Sequence, residues 1–312
     1  MQQLLDLYNK VLEFGELSTD RTGVGTIKLI CQTMRFNLQD GFPAPTTKRL
    51  AWNAMLSELI WFIEGSHDER RLCEILYETR DESKKTIWTA NYLNQGVSLG
   101  YTDGELGPVY GKQWREWIDI QCEQNIYGHD PLTYLNSGYE QIGYDDKSDY
   151  YFYKRTIDQL SVLIDGLKNE PDSRRHILTS WNVGELDKMS LAPCHAFSQF
   201  FVIDGKLSCS LYQRSADLFL GVPFNIASYS LLTHMLAQVC GLDVGEFIWM
   251  GGDVHIYQNH IDQVKEQLQR TPRELPTLWM DTSITNIEDF KMDSVRLEGY
   301  NPDGVIKAPM AV

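Results

Sequence analysis

Apolar positions along the chain recur at helical spacing in four stretches. Residues 2–15 carry apolar side chains at intervals of three and four and end at Gly15, which predicts an amphipathic N-terminal helix. The same spacing predicts buried helices over 48–65 and 225–240 and a further helix over 156–168. The helix over 48–65 contains one internal acid, Glu58, which we expect to be ion-paired, raised in pKa or turned outward at the helix edge.

Short apolar runs bounded by turn residues predict strands between these helices. The predicted strands cover 27–31, 34–38, 176–182, 196–203, 207–213 and 247–249. Strands and helices do not alternate regularly, and this order favours an α+β fold over a doubly wound parallel sheet.

Residues 118–153 interrupt these patterns. Seven of the sixteen tyrosines fall in this range, among Asn, Gly and acidic residues and with little periodicity. They are Tyr127, Tyr134, Tyr139, Tyr144, Tyr150, Tyr151 and Tyr153. We interpret 118–153 as a surface insertion and not as a second core; the family resemblance described below implies a single catalytic domain that spans 1–312.

Composition excludes several classes of protein. Hydrophobic residues make up 43% and charged residues 23%, as in ordinary globular proteins. The six cysteines form no CxxC pair, which disfavours a disulfide framework and a zinc ribbon. The chain has neither a basic, apolar leader nor a long apolar run, so we expect a cytoplasmic protein without membrane contact. A net charge of −15 argues against DNA or RNA as a substrate.

Cys194 is the cysteine with neighbours suited to chemistry. His195 follows it directly, Arg214 comes shortly after, and a nearby cation favours the nucleophilic thiolate. Pro193 and the alternating apolar residues after Cys194 place the thiol at the mouth of a buried strand. The alternative is that Cys194 is simply a small buried hydrophobe.

Nine ordered motifs extend this observation from the first helix to the last residue. They are Asp20-Arg21-Thr22-Gly23, residues 58–62, 106–114, 172–175, Ala192-Pro193-Cys194-His195, residues 213–217, 221–228, 251–257 and 307–312. Together they resemble the thymidylate synthases. The resemblance implies a mixed β-sheet packed with helices, one sheet surface forming a homodimer interface, and conversion of dUMP to dTMP with 5,10-methylenetetrahydrofolate as cosubstrate and no metal.

The resemblance also implies roles in nucleotide chemistry. Cys194 would add to C6 of the pyrimidine, Glu58 and Tyr110 would move protons through water, and His195 would belong to the same polar network. The residues implied in dUMP binding are Arg21, Gln213, Arg214, Ser215, Asn225, His255 and Tyr257, with Arg174 and Arg175 from the second subunit. Asn225 would accept from N3–H and donate to O4 of uracil; helix capping is its alternative role.

A second set of residues would hold the folate. The implied contacts are Lys48, Ile87, Trp88, Asp217, Leu220, Gly221, Phe224 and the closing C-terminal Val312. Asp217 would bind the pterin edge and take part in catalysis, and Lys48 would meet the glutamate tail.

Two features depart from the family pattern. Thr89 follows Trp88 where family members usually have Asp, and residues 118–153 form an insertion. Changes in the pocket wall could deliver water instead of hydride to the intermediate, so a dUMP hydroxymethylase is the alternative function. A non-catalytic RNA-binding or scaffold protein is a third possibility, since fold does not dictate function.

Overall fold

In a computed structural model that describes residues 1–126 and 130–310, eleven strands are present among the described residues. The strands are β1 (Glu16–Ser18), β2 (Thr26–Asn37), β3 (Trp117–Gln124), β4 (Glu140–Asp145), β5 (Tyr150–Ile157), β6 (Ile177–Thr179), β7 (His195–Ile203), β8 (Lys206–Asp217), β9 (Asp243–Tyr257), β10 (Thr277–Met280) and β11 (Val295–Glu298).

The helices of the same residues vary widely in length. They are α1 (Gln2–Phe14), α2 (Trp52–Ile63), α3 (Glu69–Tyr77), α4 (Thr89–Asn91), α5 (Tyr110–Arg115), α6 (Pro131–Leu135), α7 (Gln159–Asn169), α8 (Gly221–Cys240) and α9 (Ile261–Leu268). The four helices that periodicity predicts are α1, α2, α7 and α8. The α+β class is also confirmed.

A six-stranded mixed sheet in the order β1-β2-β9-β8-β7-β6 forms the centre of the fold. Only the β8–β9 pair is parallel, and α8 makes the crossover between these two strands. Four buried side chains lie at alternate positions of β8, Leu207, Cys209, Leu211 and Gln213, and α8 packs over this face. The core therefore lies between α8 and one face of the sheet.

The opposite face of the sheet presents large apolar side chains to solvent. Phe197 pairs with Tyr212, and Tyr212 pairs with Met250, in one row across three strands. Phe197 is 37% exposed, Tyr212 41% and Ile203 66%. A contiguous exposed apolar surface of this kind is typical of a protein interface.

Four predicted strands differ from the observed ones. The strand predicted over 176–182 is limited to the three residues of β6, Ile177–Thr179. The strands predicted over 27–31 and 34–38 are one strand, β2, with an irregularity at Cys31, whose φ is +52°. The strand predicted over 247–249 is the middle of the fifteen-residue β9. The helix predicted over 156–168 begins later than expected. Residues 156 and 157 belong to β5, and α7 starts at Gln159 after the N-cap residue Asp158.

The tyrosine-rich segment contains regular structure that its sequence does not reveal. Strands β3, β5 and β4 form a separate antiparallel sheet, with β5 in the centre. Tyr134 stacks on Tyr153 with ring centroids 4.3 Å apart, and Tyr144 packs against Tyr151 at 4.7 Å. Tyr127, predicted in the same cluster, lies outside the described residues.

Candidate active site

A cavity of about 860 Å³ opens where α2, α5 and α8 meet the central sheet. Most of the residues predicted from the sequence line it: Arg21, Lys48, Glu58, Ile87, Trp88, Tyr110, Cys194, His195, Gln213, Arg214, Ser215, Asp217, Leu220, Gly221, Phe224, Asn225, His255 and Tyr257. Arg174 and Arg175 are exposed and do not line the cavity of their own chain. Val312 lies outside the described residues.

Cys194 immediately precedes β7, at the mouth of the strand as its sequence context predicts. Its backbone N–H donates to the Tyr110 hydroxyl oxygen at 2.7 Å, which fixes the residue against α5. Burial raises the pKa of the Cys194 thiol, while Arg214, a hydrogen bond with Ser215 and Arg21 lower it. Burial is the largest of these effects, so the thiol form dominates in the free protein.

Arg214 is attached to the segment that carries the cysteine. Its Nε and Nη2 atoms donate to the carbonyl oxygens of Pro193 and Ala192, each at 2.7 Å. Its backbone N–H donates to the Cys194 carbonyl oxygen at 2.8 Å. The guanidinium also lies over the Trp181 ring. These contacts hold a permanent cation beside the sulfur and at the cavity wall.

Glu58 points inward, and the outward orientation considered from its helix is wrong. The side chain is 5% exposed, and its Oε1 atom accepts a hydrogen bond from the Trp88 indole Nε1–H at 2.7 Å. Burial raises the pKa of Glu58 to about 7, against the lowering effect of the Trp88 hydrogen bond. A carboxyl with this pKa can give and take a proton near neutral pH.

His195 is buried and does not act as a cation beside Cys194. Its Nδ1 atom lies 2.9 Å from the Tyr229 hydroxyl, and its ring stacks on Tyr110 with centroids 4.1 Å apart. Burial lowers the pKa of His195 to about 3, so the imidazole is neutral. The residue extends the polar network of Tyr110 into α8.

Asn225 lies in the first turns of α8, where its amide faces the cavity. The helix N-cap is Leu220, so the capping role considered for Asn225 is wrong. Gln213 Nε2 donates to Asn225 Oδ1 at 3.0 Å, and Gln213 Oε1 accepts from the Trp249 indole at 2.8 Å. This chain of amides orients Asn225, and its Oδ1 atom retains a second lone pair for a ligand.

The cavity wall beside His255 contains two residues, Lys28 and Asp253, to which the sequence analysis assigned no role. Lys28 Nζ donates to Asp253 Oδ2 at 2.9 Å, and His255 Nδ1 lies 2.9 Å from Asp253 Oδ1. Lys28, Asp253 and His255 all line the cavity. The i, i+2 spacing of Asp253 and His255 on one strand was the available signal, since alternate strand residues share a face.

Asp217 and Lys48 lie near the base of α8. Asp217 Oδ1 accepts from the backbone N–H groups of Phe219 and Leu220 at 3.0 and 3.2 Å. Lys48 is buried, donates to the Phe219 carbonyl oxygen and lies over the Phe219 ring at 3.6 Å. Burial lowers the pKa of Lys48 to about 8, and Asp217 opposes this shift.

The last described residues close one side of the cavity. Val305, Ile306 and Met310 line it. The Pro309 carbonyl oxygen lies 2.7 Å from Nε2 of the buried His260. This contact fixes the tautomer of His260 with its proton on Nε2.

Within residues 1–126 and 130–310, no group of three or more His, Cys, Asp or Glu side chains is arranged to hold a metal ion. Over the same residues no helix is long and apolar enough to cross a membrane.

One comparison with known proteins bears on this site. A family model described as thymidylate synthase matches residues 2–312. The match includes the cavity, the central sheet and the tyrosine-rich segment.

Proposed function

Because the chain belongs to the thymidylate synthase family, whose members are methyltransferase-type enzymes, we propose that it methylates dUMP to dTMP. The cosubstrate is 5,10-methylenetetrahydrofolate, and dihydrofolate is the second product. The observation that supports this most is the convergence of Cys194, Arg214, Glu58 and Asn225 on one cavity. Each supplies a different requirement of the reaction: a nucleophile, a cation, a proton carrier and an amide that can read a pyrimidine edge.

In the proposed reaction Cys194 loses its proton to water and its Sγ atom attacks C6 of the uracil ring. C5 then bonds to the one-carbon unit of the folate and loses its proton, and the folate nitrogen leaves. Hydride from the folate reduces the exocyclic methylene, and the Sγ–C6 bond breaks to free the cysteine. The phosphate of dUMP binds beside Arg214, Arg21 and Ser215, and O4 of the base takes up charge as the ring becomes an enolate. The hydrogen bond to Tyr110 holds the Cys194 backbone in place, so the position of the sulfur atom is fixed during attack. Glu58 exchanges protons with the O4 side of the base, for which a pKa of about 7 is suited.

Asn225 selects the base in this proposal. Its Oδ1 atom accepts from N3–H and its Nδ2 group donates to O4, whereas cytosine presents the opposite pattern on that edge. The hydrogen bond from Gln213 prevents the amide from rotating to suit cytosine. His255 and Tyr257 take the sugar hydroxyl, with the ring of His255 oriented by Asp253.

The apolar part of the cavity fits the folate. Ile87, Trp88, Leu220 and Phe224 provide a flat apolar wall, and the Asp217 carboxylate can pair with a pterin edge. The bound folate supplies the one-carbon unit and the hydride. Trp88 and the C-terminal residues up to Met310 exclude water from the reacting atoms. Val312 is proposed to complete this closure.

The active form is proposed to be a homodimer. The exposed apolar sheet face offers an interface, and the exposed Arg174 and Arg175 would extend into the partner's cavity to bind phosphate. We also propose a single catalytic domain over 1–312 with 118–153 as an insertion. All six cysteines are unpaired, which suits the cytoplasm.

Product mass after incubation with dUMP and methylenetetrahydrofolate tests the function. The proposal expects dTMP together with dihydrofolate, whose formation is measured by absorbance. It also expects that Cys194→Ala still binds dUMP but gives no product. Hydroxymethyl-dUMP with tetrahydrofolate would instead identify the hydroxymethylase. RNA affinity without nucleotide turnover would identify a binding protein.

A further inference from the structure

Glu69, the first residue of α3, is a carboxylate with no contact to solvent. Its Oε1 atom accepts hydrogen bonds from the hydroxyl groups of Thr86 and Thr89 at 2.7 and 2.5 Å. Its Oε2 atom accepts from Arg70 Nε at 2.6 Å. The buried Glu69 carboxylate therefore stabilises the positions of these three donor side chains, because losing any of the hydrogen bonds would leave buried charge without a partner.

The two threonines flank Trp88 in the sequence, and both are hydrogen-bonded within the same turn. The Trp88 backbone N–H donates to Thr86 Oγ1 at 3.2 Å, and the Thr86 backbone N–H donates to Thr89 Oγ1 at 2.9 Å. Glu69 thus fixes the turn from which the indole reaches Glu58 at 2.7 Å. Thr89 is buried and faces Glu69, and it does not line the cavity, although Ile87 and Trp88 on the same turn do.

We propose that Glu69 is a positioning residue of the active site: its buried carboxylate holds the turn of Thr86 and Thr89 and, through that turn, holds Trp88 against Glu58. The inference deepens the proposed function, on which it rests for the role of Glu58.

The groups around both carboxyls are consistent with this assignment. Tyr110 on α5 and Tyr229 on α8 face Glu58, and burial raises the pKa of each well above its ordinary value, so both stay neutral near pH 7. Trp88 is therefore the donor that tunes Glu58. Glu69 faces Arg70 and Cys73 on its own helix, and burial raises the pKa of Cys73, which leaves Arg70 as the compensating charge.

The test is the pH titration of Glu58. It is measured by NMR on protein that carries carboxyl-¹³C glutamate, with no nucleotide present. Glu69→Gln is expected to loosen Trp88 and move the Glu58 midpoint to higher pH, by on the order of one unit for a lost hydrogen bond to the carboxylate. The pH limb of kcat that depends on Glu58 should move in the same direction. Glu74→Gln is the matched control, because Glu74 lies on the same helix in a partly exposed pair with Arg71.

Moving the carboxylate to position 89 tests whether one charge at this contact is sufficient. Thr89→Asp alone brings two carboxylates into contact and should impair kcat, whereas Glu69→Gln with Thr89→Asp should restore both kcat and the Glu58 midpoint. If Glu69→Gln does not fold, Thr89→Val removes one donor with its shape retained and should move the midpoint less, in the same direction.

Two results would overturn the proposal. One is a lowered melting temperature with an unchanged Glu58 midpoint, which would make Glu69 a structural residue only. The other is a double variant no better than the worse single one. Because the titration needs neither substrate, its outcome is independent of whether the protein makes dTMP.

Discussion

The raised pKa of Glu58 has a thermodynamic consequence at the scale of one residue. Its pKa rises from an ordinary 4.5 to about 7 in the folded protein, so the folded state holds this proton more tightly than the unfolded chain. Ionisation of Glu58 therefore removes stability as pH rises from 4.5 to 7, and the loss is complete above pH 7.

Glu58→Gln should remove that loss while it retains an oxygen for Trp88. We expect the variant to be inactive but more stable than wild type at pH 8, by about 3 kcal/mol at most, with a much smaller difference near pH 4.5. Urea unfolding at the two pH values measures the difference. A stability gain that does not change with pH would contradict the assigned pKa.

Asn225 provides a second prediction at this scale. Asn225→Asp replaces a donor with an acceptor at the base edge, so we expect dUMP to lose about a hundredfold or more in kcat/KM relative to dCMP. Competition between the two nucleotides measures the ratio. Asn301→Asp, at an exposed position, is the control for added charge. Unchanged selectivity would mean that Asn225 does not face the base.

Close packing between α2 and α5 sets the position of Tyr110 at the scale of elements. A Cβ atom at Gly111 would lie 2.6 Å from the Phe62 carbonyl oxygen and 2.8 Å from Phe62 Cα. Both contacts are with backbone, which cannot rotate away. The absence of a side chain at Gly111 thus lets the two helices approach until Tyr110 reaches the backbone of Cys194.

Gly111→Ala should therefore destabilise the protein, although alanine favours helices. We expect a loss of about 1–3 kcal/mol, typical of overpacking, together with lower kcat because Tyr110 moves from Cys194. Thermal unfolding and steady-state kinetics measure the two effects. Gly184→Ala is the control, since its added methyl group would lie 3.6 Å from Asn182 Oδ1. Equal stability of both variants would show that α5 adjusts freely.

Elements with one clear period were predictable from sequence, and those shaped by distant contacts were not. Helix α8 and strand β7 match their predictions closely because their apolar spacing is uninterrupted. Strand β9 was predicted far too short because Gly251 and Gly252 interrupt its pattern. Gly251 leaves no room for a side chain, because an added Cβ would lie 2.3 Å from the ring of the buried Trp249.

The candidate site shows the same division. Cys194, Arg214 and Asn225 lie in motifs that resemblance identifies, and the structure brings all three to the cavity. Glu69 carries no such signal, because a glutamate beside two arginines in an amphipathic helix reads as a solvated charge. Its burial depends on the turn at Thr86 and Thr89, which is a tertiary contact.

Shared sites are the prediction at the scale of the whole molecule. If Arg175 serves the partner's cavity, a mixture of Cys194→Ala and Arg175→Ala chains contains mixed dimers with one intact site. Random reassembly should then recover activity in about a quarter of the sites, although each variant alone is impaired. Activity after dissociation and remixing measures the recovery. A mixture no more active than its components would contradict the composite site.

The pairing of β2 with β9 also determines when the protein can first work. Thr26 near the start of the chain pairs with Tyr257 near its end, and β8 and α8 contribute Arg214 and Asn225 from between them. A chain emerging from the ribosome has no partner for one long edge of β2 until β9 is made. Contacts of such high sequence separation form slowly, so we expect nucleotide binding to appear only after synthesis is nearly complete and truncated chains to aggregate through that edge.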